Sequence, residues 1–278
     1  MRIRINGAEA DIQLETEKTV GEVLSALGSW LEGTGHRLSG LGINGQTIDA
    51  PSVAACFAVG VEDVDTLDVY TSPVSTLFCE CLLSLLDTIG TYEVSGFAEK
   101  ASLASAWGAG PAAKMLGEQS PALAQWAAKT FSGDGSSPQA LRSAVEERLR
   151  EFREPAGEME KIAPLVADVC ARLEELPLDV QTGKDARAAE TVNIFSGIAE
   201  KVFRVYGILG GAGLRVEEAK VGGLPIADYI AEFHASLQEL LAAYEQRDTV
   251  LVGDIAEYEI APRLRGLYAA VSGAARGA

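Results

Sequence analysis

The chain is 278 residues long, 47% apolar and 23% charged, with 40 acidic against 23 basic residues and a formal net charge of −17. That length allows two domains with a sizeable core, and that apolar share excludes a disordered acidic tail. The negative field repels phosphates, so nucleic acid and anionic membrane are excluded as expected partners; Arg and Lys never form a run that would override it.

Met1 to Gly7 alternates Ile3 and Ile5 with polar residues, the period of a half-buried strand, and turns at Asn6-Gly7. Alternation resumes in Ala10, Ile12 and Leu14. Thr19 followed by Glu22 is a capping box, in which each side chain satisfies the other's free backbone amide. Val20, Val23, Leu24, Leu27 and Leu31 give that helix one apolar face, and Gly33 and Gly35 end it. A second turn at Asn44-Gly45 separates short strands, and Leu67 and Val69 mark the last strand. The order expected is two strands, a helix and two further strands.

Over residues 1–72 this strand order, the Asn-Gly turns and the Thr19-Val-Gly-Glu22 segment resemble the ubiquitin and ThiS/MoaD-like sulfur-carrier families. The resemblance implies a β-grasp (ubiquitin-like) domain spanning 1–73. Carrier chemistry is not implied with it, because that chemistry adenylates a free Gly-Gly carboxylate. Here the strand runs on into Thr71-Ser72-Pro73, and the chain ends Arg276-Gly277-Ala278.

Beyond Ser72, Pro73 is expected as the first residue of a helix running through Ile89. A small-residue-rich helical segment is expected over 74–131, holding Trp107 and Trp126, with Pro111 and Pro121 as breaks or helix starts. Ser132 to Pro138 reads as a loop. An antiparallel helical bundle is expected over 138–278. Leu141, Val145, Leu149 and Phe152 line one face, and Met159, Ile162, Val166, Val169 and Leu173 another, bent or started near Pro164. Ala188, Val192, Phe195, Ala199, Val202, Tyr206 and Leu209 repeat at spacings of four and three. So do Ile226, Ile230, Phe233, Leu237, Leu240 and Tyr244, and these two segments are expected to pack as an antiparallel pair across a Gly-rich connection from Gly210 to Gly223. A last helix starts at Thr249, capped by Asp248, with Leu251, Ile255 and Tyr258 apolar and a kink at Pro262. Residues 180–270, through Gly183-Lys-Asp185 and the segment Asp248 to Leu264, resemble an uncharacterised family of bacterial helical proteins, which implies no activity.

Gly40-Leu-Gly-Ile-Asn-Gly45 matches the dinucleotide fingerprint as letters, but it sits around an Asn-Gly turn between short strands and opens no helix to hold a pyrophosphate, so its glycines are assigned to turns. His36, expected in a loop, and His234, expected at a helix boundary, stand at no metal-ligand spacing. Gly183-Lys184 continues with Asp185, which would repel a phosphate. Cys79 has no basic neighbour to lower its pKa. Cys56, Cys79, Cys81 and Cys170 show no disulfide framework and fit reduced thiols in a cytoplasm. Arg2 and Arg4 interrupt a strand and not an apolar leader, so no signal peptide is expected; nor is any stretch expected to approach the roughly twenty apolar residues of a membrane span, the run around Leu82 to Ile89 being cut by Ser84 and Asp87.

The reading is an α+β protein, a β-grasp domain followed by a mainly α-helical bundle. Its expected role is that of a non-enzymatic cytoplasmic adaptor, scaffold or assembly-chaperone-like protein. The expected partner is another protein, with a homo-oligomer seam as a further use of the bundle, no cofactor, no nucleic acid and no membrane insertion. No catalytic, cofactor-binding or metal residue is assigned. The candidate interaction face is Asp248, Asp254, Glu257 and Tyr258 on the last helix. The alternative is a small-molecule or metal-dependent enzyme using those three carboxylates with Tyr258 or His234.

Overall fold

Asn6-Gly7 and Asn44-Gly45 both take left-handed conformations, with φ of 50° and 83° in the first and 51° and 80° in the second, as two-residue hairpins require. The two Asn side chains do a second job. Asn44 Oδ1 accepts from the Asp65 and Thr66 amides at 2.8 and 3.0 Å. Asn6 accepts from the Thr71 amide at 2.9 Å and donates to its hydroxyl at 3.0 Å. The turns thereby clamp both ends of one central strand.

The computed structural model describes residues 1–12, 14, 16–211 and 218–277. They fall into two compact units, Met1–Ser136 and Ser137–Ala278. The first begins with a mixed five-stranded sheet built from β1 (Arg2–Ile5), β2 (Ala8–Glu9), β3 (His36–Ile43), β4 (Gln46–Ile48) and β5 (Thr66–Pro73) in the order β2-β1-β5-β3-β4. β1 and β5 run parallel; the other neighbours are antiparallel. Helix α1 (Val20–Glu32) starts at Thr19 with the full capping box. Its Val20, Val23, Leu24 and Leu27 bury against Ile3, Leu41, Leu67 and Val69. Gly21 is fixed by packing, since a Cβ there would stand 2.9 Å from the Phe57 carbonyl. β2 ends at Glu9, so Ala10 and Ile12 lie beyond the strand expected there. Between β4 and β5 the chain adds a short helix, α2 (Ala50–Cys56), and a 3-10 turn at Val61–Asp63. His36 opens β3 and is not in a loop.

Pro73 closes β5, and helix α3 begins one residue later, Val74–Val94. By length and composition alone it could cross a bilayer, which corrects the expectation that no stretch approaches that size. Its Phe78, Leu82, Leu85, Ile89 and Tyr92 recur at four-three spacing and are buried in the first unit, while Glu80 and Asp87 stand on the exposed side. Helices α4 (Phe97–Ala109), α5 (Pro111–Gln119) and α6 (Pro121–Ser132) complete the unit, with Pro111 and Pro121 at first helical positions.

In the second unit α7 (Pro138–Arg153) is followed by α8 (Pro155–Gln181), α9 (Asp185–Gly211), a hairpin of β6 (Lys220–Val221) and β7 (Leu224–Pro225), and α10 (Ile226–Glu245). α11 (Thr249–Ile255), a π turn (Ala256–Ile260) and α12 (Ala261–Arg276) form one continuous last helix. Pro164 and Pro177 both lie inside α8, which neither starts nor stops at Pro164. The expected pairing of α9 with α10 is corrected: α9 lies along α8 and α12, α10 against α11, and the two meet where Phe233 packs on Phe195 and Phe203. α8 takes the place beside α9 because its Met159, Ile162, Val166, Val169 and Leu173 are all buried in the core that α9 completes. Val192 and Tyr244, expected in the seams, are exposed, and Thr191 is buried in place of Val192. Residues 212–217 of the Gly-rich connection, and Ala278, lie outside the described residues.

Candidate functional site

The candidate face lies where α10 turns into α11. Arg247 takes a left-handed conformation, φ 56°, so that the Asp248 amide can donate back to Ala243 O at 3.0 Å. The Asp248 carboxylate then accepts from the Leu251 amide at 3.0 Å, so it is engaged as the N-cap of α11. Asp254 and Tyr258 point to solvent one helical turn apart, and Glu257 is half-buried. The Tyr258 hydroxyl donates to Glu257; that hydrogen bond, with the charge of Glu257, pushes the phenol above its ordinary range. His234 is exposed on α10. Among the described residues no three His, Cys, Asp or Glu side chains are grouped to hold a metal.

The π turn decides which residues this face contains. Val252, Ala256, Ile260 and Leu264 are all buried, yet successive steps of four drift about 40° each around an α-helix. A wide turn of about 4.4 residues restores the row. Ala261, which an unbroken helix would place near Asp254, is rotated into the core. The turn sits just ahead of Pro262, which has no amide to donate and whose ring needs room behind it.

A second constellation was not anticipated. Glu151 of α7, Glu158 of α8 and Lys201 of α9 are buried polar residues in the second unit. Lys201 Nζ stands 2.7 Å from Glu147 Oε1, 2.7 Å from Glu158 Oε2 and 3.9 Å from Glu151 Oε1. Arg204 forks onto Glu151 through Nη2 at 2.8 Å and Nε at 3.1 Å, and Arg148 and Arg204 share Glu200. Glu158 also receives Arg150 and Lys161, at 3.2 and 2.6 Å. Burial pushes the Glu151 carboxyl up to about 7, against the pull of Arg148 and Lys201. Glu158 meets the same desolvation, but hydrogen bonds from Lys161 and Lys201 outweigh it and hold the carboxyl down at about 2. Lys201 is raised, since Glu147 and Glu158 outweigh its own burial. Each charge is engaged by another side chain of the same cluster, so its chemistry is that of a structural ion-pair network.

A cleft of about 380 Å³ between α8 and α9 is lined by Asp168, Arg172, Glu175, Arg187 and Glu190. Its cations are already engaged: Arg172 pairs with Asp168 at 2.9 Å, and Arg187 with Glu175 and, at 3.1 Å, with the buried Asp179. None of the four candidate residues lines it. Lys184 of the Gly183-Lys-Asp185 turn faces Asp179 at 3.4 Å. The Gly40 to Gly45 match resolves into β3 and its hairpin, where a Cβ on Gly40 would press on the Tyr70 ring and one on Gly42 on Asp68.

Residues 1–73 match the family model of the TP0873 N-terminal domain, and residues 158–270 match a domain of unknown function, DUF8042. The second range covers α8 through most of α12 and overlaps the stretch 180–270 that resembles an uncharacterised bacterial family. No solved structure matches the chain. Over 267 residues, spanning 96% of this chain and 94% of the relative, the sequence is 25% identical to an uncharacterized protein of Treponema pallidum (strain Nichols).

Proposed function

We propose that the protein is a non-enzymatic adaptor whose N-terminal domain is a β-grasp presenting one sheet face to another protein. The strand order β2-β1-β5-β3-β4 with parallel central strands, and a helix entering after β2, supports the β-grasp reading. The observation that carries the adaptor reading is the asymmetry of that sheet. α1 fills one face with Val20, Val23, Leu24 and Leu27. The opposite face carries a cross-strand row, Glu9, Arg4, Asp68, Gly42 and Thr47, and next to it Tyr70 lies over Gly40. Arg4 and Tyr70 are exposed there, a cation and an aromatic beside two glycines that keep the surface shallow.

The test is capture of partners from a lysate of the source organism on tagged full-length chain, beside a variant carrying Arg4→Ala and Tyr70→Ala. The expected result is one protein retained in stoichiometric amount by the unaltered chain and lost with the variant, while the thermal melt of the variant is unchanged. Retention of nothing, or retention indifferent to the two substitutions, overturns the reading.

A further inference from the structure

Five of the exposed large apolar side chains lie on the two neighbouring helices where α10 turns into α11: Leu241 and Tyr244 at the end of α10, 59% and 71% exposed, then Val250, Leu251 and Tyr258 at 59%, 43% and 65%. They are exposed although neighbouring positions of the same helices are well packed. Ala243 of α10, and Val252, Gly253, Ile255 and Ala256 of the last helix, are buried. Gly253 lets α11 press on Pro177, where a Cβ would approach to 2.8 Å, so the helix is seated firmly with this stripe outward. Three observations make the corner a built surface: the left-handed Arg247, the Asp248 cap and the π turn together fix which side chains face out.

The charge of the corner selects its occupant. Between 241 and 258 the sequence carries Glu245, Asp248, Asp254 and Glu257 against Arg247 alone. The neighbouring acids Glu259 and Glu232 are neutralised by Arg263, at 2.7 and 3.0 Å. No such cation serves Asp254 or Glu257 among the described residues, and the Glu257 carboxylate takes up only the neutral hydroxyl of Tyr258. Apolar anchors rimmed by uncompensated acids complement a segment with apolar residues on one side and Lys or Arg on the other. A second copy of this chain would bring the same acids face to face, and an anionic lipid surface or nucleic acid would be repelled. We infer that the α10–α11 corner is a docking surface for a basic amphipathic segment of a partner protein. This surface is separate from the sheet face, and either can fail alone.

The test uses the full chain and a fluorescein-labelled amphipathic Leu/Lys peptide, read by fluorescence anisotropy. Binding is expected to be saturable. It should weaken about tenfold in a variant carrying Asp254→Lys and Glu257→Lys, and to a similar degree in one carrying Leu251→Ser and Tyr258→Ser. A control carrying Asp63→Lys and Asp134→Lys reverses as many charges at exposed positions of the first unit and should bind as the parent does. Equal weakening in the control would reduce the effect to the general field of an acidic protein and overturn the inference. So would indifference to the Leu251 and Tyr258 changes, absence of binding, or a dimer of the parent chain, seen by light scattering, that the corner substitutions dissociate.

Discussion

Phe233 shows how much one side chain can carry in this molecule. It is fully buried, stacks on Phe203 with centroids 5.9 Å apart and meets Phe195 edge-on at 6.5 Å, and it is where α10 reaches α9. Truncating it removes a large apolar payload and leaves a cavity that two other aromatic rings hold open, at a cost of about 3–5 kcal/mol. Phe233→Ala should therefore lower the urea midpoint of the second unit by a corresponding amount; a loss under about 1 kcal/mol would mean that the site collapses or that the ring is dispensable. Phe233 was legible from its place in a four-three repeat. Tyr244 belongs to the same repeat and is exposed, because a periodic pattern continues to the helix end whether or not a neighbour still covers it.

At the scale of elements, α7 buries Leu141, Val145 and Leu149 and is tied to α8 and α9 by charge as well. Its Glu147, Glu151, Arg148 and Arg150 all face partners on those helices. The two buried glutamates respond oppositely to pH. Glu158 is held at about 2 against an ordinary 4.5, so its contribution is complete above 4.5 and is lost as pH falls toward 2. Glu151 is raised to about 7, so its contribution is complete below 4.5 and is lost as pH climbs through 7. Between pH 4.5 and 7 the parent should lose on the order of 3 kcal/mol through Glu151, while Glu151→Gln, which does not titrate, should show a flatter profile over that range. Urea unfolding at several pH values, followed by circular dichroism, measures both slopes; parallel profiles would show that Glu151 is not the group responsible. Sequence alone does not display this cluster. Glu147 and Glu151 stand four apart beside arginines and read as a solvated helix face, and their partner Lys201 comes from a helix about fifty residues on. The π turn did leave a trace, the three consecutive apolar steps of four from Val252 to Leu264, which a fit to an ideal helix averages away.

Over the whole molecule, what the sequence made legible is the succession of a mixed sheet and a helical bundle, because capping boxes, Asn-Gly turns and seams are local signals. Which helices become neighbours is not local, and there the expected α9–α10 pairing gave way to α8. The distribution of tryptophan offers a way to follow the two units separately. Trp30, Trp107 and Trp126 all lie in Met1–Ser136 and none in Ser137–Ala278, whereas both units contribute helix to the far-ultraviolet signal. Urea unfolding followed by tryptophan fluorescence therefore reports the first unit alone, and circular dichroism reports both. If each unit folds around its own core, as the separate clusters on α1 and on α8 to α12 lead one to expect, the two probes should not coincide. Phe233→Ala then provides the decisive comparison: it should move the part of the dichroism transition that fluorescence does not see and leave the tryptophan midpoint in place. A fluorescence midpoint that shifts by as much as the dichroism would mean that the chain unfolds as one cooperative body, with the stability of the sheet drawn from the bundle.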